Sequence, residues 1–238
     1  MRDREHELAA NLARVRERIA AAEAAAGRPP GDVGLVVVTK YFPASDVRIL
    51  AALGVRDVGE NRHQEAQAKS AECAGLELSW HFIGGLQTNK AAAVARYADV
   101  VESVDRPELL ARLDRGAAER GRPLDVLLQV SLDGPEASHR SGAAPETLAA
   151  LGEQVAGHEA LRLRGLMAVA PLSSSTGATD PDEAFARLAE IRTSFLRQHP
   201  RATRLSAGMS GDLEQAIRHG ATHVRVGSAV LGSRSPVK

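Results

Sequence analysis

Lys40 closes a short apolar, β-branched run, Val36-Val37-Val38-Thr39, and Tyr41-Phe42-Pro43 follows it. A run this short and this apolar reads as a strand buried on both faces. Pro43 disfavours helical geometry at Phe42, so any helix starts beyond it. Lys40 therefore stands at the C-terminal end of a buried strand, where α/β sheets and barrels keep their chemistry. It is either a lysine marking the strand's exit to solvent or an amine aimed into a pocket. In the second case partial desolvation favours the neutral amine, which attacks carbonyls to form a Schiff base.

Other chemistry-bearing residues stand at the ends of later apolar runs. They are Asn61, Gly84-Gly85, Ser103, Ser131, Met167, Ser206, Met209-Ser210 and Arg225-Gly227-Ser228. This set offers an amine, a fixed cation, small hydroxyls and glycines. It holds no carboxylate pair of the kind a glycosidase needs. The histidines are scattered, no His/Asp/Glu cluster has metal spacing, and Cys73 is the only cysteine, so no metal site is expected. His81, inside an apolar run, is expected to be a hydrogen-bonded interior histidine. Gly208-Met209-Ser210-Gly211 and Val226-Gly227-Ser228-Ala229 each precede a helix. Backbone N–H groups at helix starts, flanked by hydroxyls and glycines, make an anion site. Either alone is an ordinary Gly/Ser cap; both together, in the last two units, favour phosphate. Arg225 alternates with Val224 and Val226, so it faces either the outer helices or the interior of the sheet. A Schiff-base lysine, a phosphate cup and a cation between them fit an aldehyde-phosphate cofactor, and pyridoxal 5′-phosphate (PLP) has an aldehyde, a ring nitrogen and a phosphate to match.

The elements that must position these residues alternate strictly. An amphipathic helix with Leu8, Leu12, Val15, Ile19 and Ala22 on one face ends near Gly27. Strands are expected at about 33–39, 55–58, 78–83, 100–104, 124–131, 161–169, 203–206 and 222–226. Helices are expected at about 62–74, 88–97, 108–120 and 145–156, with others after 45, 180, 210 and 227. Ser45 or Asp46 is a candidate cap, and Asp180-Pro181-Asp182-Glu183 is a strong helix start. Eight strands alternating with helices in one chain favour a parallel sheet closed into a single (β/α)8 TIM-type barrel, with the N-terminal helix and linker (residues 1–31) packed on it as an extra element. An open doubly wound sheet would show a Gly-rich fingerprint after its first strand, and none follows Thr39-Lys40.

The totals fit one such domain over residues 1–238, with 30 basic residues balancing 30 acidic ones. No net field argues for nucleic acid or an anionic membrane as partner. A single cysteine fits a reducing cytoplasm. The N-terminus lacks the apolar core of a signal peptide, and no apolar run is long enough to span a bilayer. No exposed apolar seam argues for an obligate dimer, so a monomer is expected.

Several segments together resemble the YggS/PROSC family of pyridoxal phosphate homeostasis (PLP-binding) proteins. They are V-V-V-T-K ending at Lys40, G-E-N at 59–61, H-F-I-G-G-L-Q-T-N-K at 81–90, V-D-R at 104–106, L-R-G-L-M-A at 163–168, S-A-G-M-S-G-D-L at 206–213 and V-R-V-G-S-A at 224–229. The likeness runs from about Leu8 to Gly232. It implies the alanine racemase N-terminal-domain barrel, a fold-type III PLP barrel. It implies that Lys40 holds PLP as an internal aldimine, and that Ser210, Gly227 and Ser228 take the phosphate. Arg225 would lie near the pyridine nitrogen, Asn61 and Met209 would line the cofactor, and Ser206 would support the site. The chain departs from the family's pattern at Val58, Gly85 and Ser228. Arginine also stands at 140 where many members have lysine, and arginine makes no stable aldimine, so no second PLP attachment is expected there.

The resemblance implies a PLP-homeostasis protein without a catalytic set, holding the cofactor and delivering it to PLP-dependent apo-enzymes. A permanently charged arginine at the ring nitrogen makes PLP a weak electron sink, which disfavours transamination and decarboxylation. The alternative is a small amino-acid racemase of the alanine racemase class. Such racemases use a second base, a tyrosine from another domain, and the chain runs out at Lys238 soon after its eighth strand. Its tyrosines are Tyr41 and Tyr97. If Tyr41 continued the strand it would point away from Lys40. A third reading is a sugar-phosphate enzyme using Lys40 without PLP.

Overall fold

Eight parallel strands pair in chain order, and the last closes on the first. They are β1 (Gly34–Val38), β2 (Asp57–Glu60), β3 (Ser79–Phe82), β4 (Val100–Val104), β5 (Leu124–Val130), β6 (Leu161–Ala168), β7 (Arg204–Ser206) and β8 (His223–Val226). The helices are α1 (Arg2–Ala25), α2 (Ala44–Ala52), α3 (His63–Glu72), α4 (Ala91–Ala95), α5 (Leu110–Arg120), α6 (Leu148–Ala156), α7 (Pro181–Gln198), α8 (Leu213–Arg218) and α9 (Ser228–Leu231). This computed structural model describes residues 2–132, 142–171 and 180–232. Arg140 and the stretch 173–179 fall outside them.

The expected closed barrel is what forms, and strand alternation divides its side chains between two environments. Val37, Val58, Val224 and Val226 pack outward in one core cluster with Leu8, Leu12 and Val15 of α1 and Val47 and Leu50 of α2. Outward residues of β4–β7, among them Val101, Val126, Leu166 and Leu205, form a second cluster with α5, α6 and α7. Inside the barrel the apolar fill is thin: Val100, Leu127 and Met167 form a small cluster of their own. Much of the remaining interior is polar, with His81, Glu102, Gln129, Ser206 and Arg225 all buried.

The extra helix α1 packs against α8 and α9, at the seam where the barrel closes. It buries Leu8, Leu12, Val15, Ile19 and Ala22 at helical spacing. Burying each leucine contributes about 1.5–3 kcal/mol. Its last turn also buries Glu23, whose carboxylate accepts from the N–H of Gly31 at 3.0 Å and of Val33 at 2.7 Å, fixing the linker into β1.

The structure shifts two expected boundaries. β2 begins at Asp57 rather than Val55, because Val55 N–H is taken by Leu50 O at the end of α2. Gly59 and Glu60 therefore belong to the strand, paired through Val38↔Gly59, and Asn61 follows it directly. Neither Ser45 nor Asp46 caps α2: Pro43 occupies the cap position without a side-chain bond. Asp46 instead accepts from Arg4 of α1 at 2.6 Å. Asp180 does cap α7, accepting from Asp182 N–H at 3.0 Å, with Pro181 in the first helical position.

Candidate functional site

β1 ends at Val38, and buried Thr39 carries the chain to Lys40 at the barrel mouth. Lys40 lines a pocket of about 450 Å³ with Met209, Ser210, Arg225, Gly227 and Ser228. Six of the residues singled out in the sequence thus share one cavity, although Lys40 and the others come from opposite ends of the chain. Among the described residues the Lys40 amine has no hydrogen bond or ion pair. Tyr41 is not a continuation of the strand. Its backbone takes φ 69°, a left-handed conformation uncommon outside glycine, and its ring lies under the Arg62 guanidinium at 4.9 Å. Neither Tyr41 nor Tyr97 lines the pocket.

The far wall is built for close approach to backbone. A Cβ on Gly227 would lie 3.2 Å from Val38 O, tighter than side chains ordinarily pack, while one on Gly211 would meet nothing within 4 Å. Ser228 Oγ donates weakly to Ser210 Oγ at 3.4 Å, so both hydroxyls face one spot. The first N–H groups of α9 lack helical acceptors. Gly208, at φ 92°, packs against Ala216 so closely that a Cβ would fall 2.7 Å from it. Two helices brace this wall from outside. Asp212 accepts from Met209 N–H at 2.6 Å, and Arg18 of α1 donates to Ser210 O at 3.1 Å while paired with Glu214. Asn11 of α1 donates to Val230 O at 2.9 Å.

Arg225 faces the barrel interior, which settles its alternation in β8. Its Nη1 donates to Ser206 Oγ at 2.7 Å and its Nη2 to Ala168 O at 2.8 Å. Ser206 is not in the pocket wall; it lies behind Arg225 and donates onward to Glu102 Oε2 at 2.6 Å. Glu102 Oε1 accepts from His81 Nδ1 at 2.7 Å, and His81 Nε2 reaches Asp57 at 3.0 Å. A continuous polar chain therefore crosses the barrel from Asp57 to Arg225. His81 faces acceptors on both ring nitrogens, which requires both to carry protons. Burial opposes that charge, but the hydrogen bonds and charges of Asp57 and Glu102 overcome it and raise its pKa to about 9. Burial likewise opposes ionised Glu102, yet His81, Arg225 and Ser206 lower its pKa to about 2. Burial draws the Arg225 guanidinium below its ordinary value, with Glu102 opposing, and it stays a cation. The interior-histidine expectation for His81 is met. Glu102 and Asp57 were not singled out; a lone carboxylate inside Val100-Val101-Glu102-Ser103-Val104 was the available signal.

Asn61 sits apart from the others. It lines a neighbouring groove of about 400 Å³ with His63, Gln87 and Lys90. Its Oδ1 and His63 Nδ1 are buried there without a partner among the described residues. Among the described residues no group of His, Cys, Asp or Glu could hold a metal ion, and no helix is long and apolar enough to cross a membrane.

One pocket thus presents an amine unpaired among the described residues, two paired hydroxyls beside a helix start, and a fixed cation. A ligand carrying a carbonyl, an anionic group and an acceptor would meet all three. The family profile for the alanine racemase N-terminal domain matches residues 10–235. The chain is 48% identical to the pyridoxal phosphate homeostasis protein of Pseudomonas aeruginosa, over 95% of this chain and 96% of that one. It is 37% identical to the protein of the same name from Escherichia coli K12, over 96% and 97%. Among solved structures, PipY of Synechococcus elongatus with PLP bound superposes with TM-score 0.80 at 37% identity, covering 94% of this chain and all of that one. Alanine racemase of Corynebacterium glutamicum, at 16% identity and TM-score 0.69, shares the fold over 62% of its own length.

Proposed function

The chain belongs to the alanine racemase N-terminal-domain family, and on that premise we propose that it binds PLP at Lys40 and serves PLP homeostasis rather than turnover. The observation that carries this reading is the Lys40 amine, unpartnered among the described residues, sharing one pocket with Ser210, Gly227, Ser228 and Arg225. When bound, PLP would supply an aldehyde open to reaction with an amine. Lys40 provides the amine. Ser210, Gly227 and Ser228 would hold the phosphate, and Arg225, held in place by Ser206 and through it Glu102, would meet the ring nitrogen. Met209 borders the same cavity. Asn61, which lines the adjoining groove, would border the cofactor from there.

A guanidinium holds its protons too tightly to transfer one to a ring nitrogen, so the site binds more readily than it activates. Neither tyrosine stands where a second base for racemisation would be needed, which supports a holding role over the racemase alternative. The relatives' homeostasis name points the same way. Delivery of PLP to apo-enzymes, residence in the cytoplasm and a monomeric state complete the proposal. PLP added to the purified protein should produce a visible absorbance band, and borohydride should fix one cofactor to Lys40, located by peptide mass spectrometry. Lys40→Ala should show neither. A wild-type protein with no band and no adduct would end the proposal.

A further inference from the structure

A second buried ion-pair cluster lies outside the polar chain that supports Arg225. Lys69 of α3, 5% exposed, donates from Nζ to Glu60 Oε1 at 2.5 Å, to Glu65 Oε1 at 3.0 Å and to Thr39 O at 2.9 Å. Glu60 Oε1 also accepts from Thr39 Oγ1 at 2.6 Å. Glu65 Oε1 accepts from the backbone N–H of Tyr41 at 2.5 Å. The residue before Lys40 and the residue after it are therefore both tied to one cluster, supplied entirely by the second β/α unit. Thr39 O has a further donor in Phe42 N–H at 3.1 Å, which closes a turn around Lys40. The turn puts Tyr41 at φ 69°, a conformation that persists only where surrounding contacts hold it.

Stability alone does not account for the cluster. A buried ion pair gains little over an apolar packing of the same volume, because desolvation offsets the Coulomb attraction. Here burial outweighs Lys69 and pushes the Glu60 carboxyl above its ordinary value, and Glu60 Oε2 has no partner among the described residues. What the cluster does supply is geometry: three bonds to backbone or side chain within one residue of Lys40. We infer that Lys69, Glu60 and Glu65 are positioning residues, a clamp that fixes the Lys40 backbone in the turn from which its amine meets an aldehyde-bearing cofactor. This rests on the PLP reading above. A functional side chain held by a supporting layer of bonds keeps its reach and angle, and one left loose by about 1 Å loses much of its reactivity.

Four proteins test the clamp: wild type, Lys69→Met, the milder Glu65→Gln, whose parent side chain is partly exposed, and a control, Leu151→Ala. Amide exchange at Tyr41 is read by NMR without PLP, and the rate of borohydride-trappable PLP capture at Lys40 is read separately. In both clamp variants Tyr41 exchange should accelerate. Capture should slow by about tenfold in Lys69→Met and less in Glu65→Gln. Leu151→Ala, in the core on the far side of the barrel, lowers stability without touching this turn and should leave capture unchanged. If Lys69→Met does not fold, Glu65→Gln decides. Unchanged Tyr41 exchange, or capture that slows in Leu151→Ala as much as in the clamp variants, would overturn the inference. A wild type that traps no PLP overturns the cofactor reading itself, and the clamp's purpose with it.

Discussion

Glu102 stands between two cations, protonated His81 on one side and Arg225, through Ser206, on the other. Glu102→Gln would leave both cations buried and short of countercharge, and breaking a buried pair in this way costs about 3–5 kcal/mol. Urea unfolding should show it as a lowered midpoint. The pH dependence has a definite sign. His81 is raised from 6.5 to about 9, so its contribution is complete below pH 6.5 and is lost as pH climbs through about 9. Glu102 is lowered from 4.5 to about 2, so its contribution is complete above pH 4.5 and is lost as pH falls toward 2. The alkaline loss amounts to roughly 3 kcal/mol at most. Unfolding free energy followed across this range should decline above pH 6.5, and His81→Gln should flatten that decline. Lys40, Ser210, Arg225 and Ser228 were legible in the sequence because strand ends and Gly/Ser turns mark them. Glu102 was not, because its meaning lies in Ser206, 104 positions away.

At the scale of elements, α1 is more than a cover. It reaches the pocket's far wall through Arg18 to Ser210 O and through Asn11 to Val230 O. The Arg18–Glu214 pair is partly exposed and contributes little to global stability. Arg18→Ala should therefore leave the melting temperature nearly unchanged. It should weaken PLP binding by about 0.5–1 kcal/mol, a few-fold in Kd, measured by titration of the absorbance band. Helix and strand identities were legible from periodicity and from Gly and Pro punctuation. The errors came where a polar group was already committed: the Val55 backbone N–H to the end of α2, which moved β2 downstream, and the Asp46 carboxylate to Arg4, which removed it as a cap. Local propensity does not see such commitments.

For the molecule as a whole, alternation of strand and helix pointed to a barrel, but the polar interior could not be read from it. A strand pattern says that a residue faces inward without saying what it meets there. The strands that close the barrel are β1 and β8, with Val36 opposite Arg225 and Val37 opposite Val226. The amine at 40 is thus synthesised well before its cation at 225 and the hydroxyls of Ser210 and Ser228. A growing chain displays a lysine but no pocket. It cannot sequester a reactive aldehyde until β8 has docked on β1, so capture reports a closed barrel. Chains stalled on the ribosome before Val224 should yield no borohydride-fixed cofactor at Lys40, and released full-length chains should.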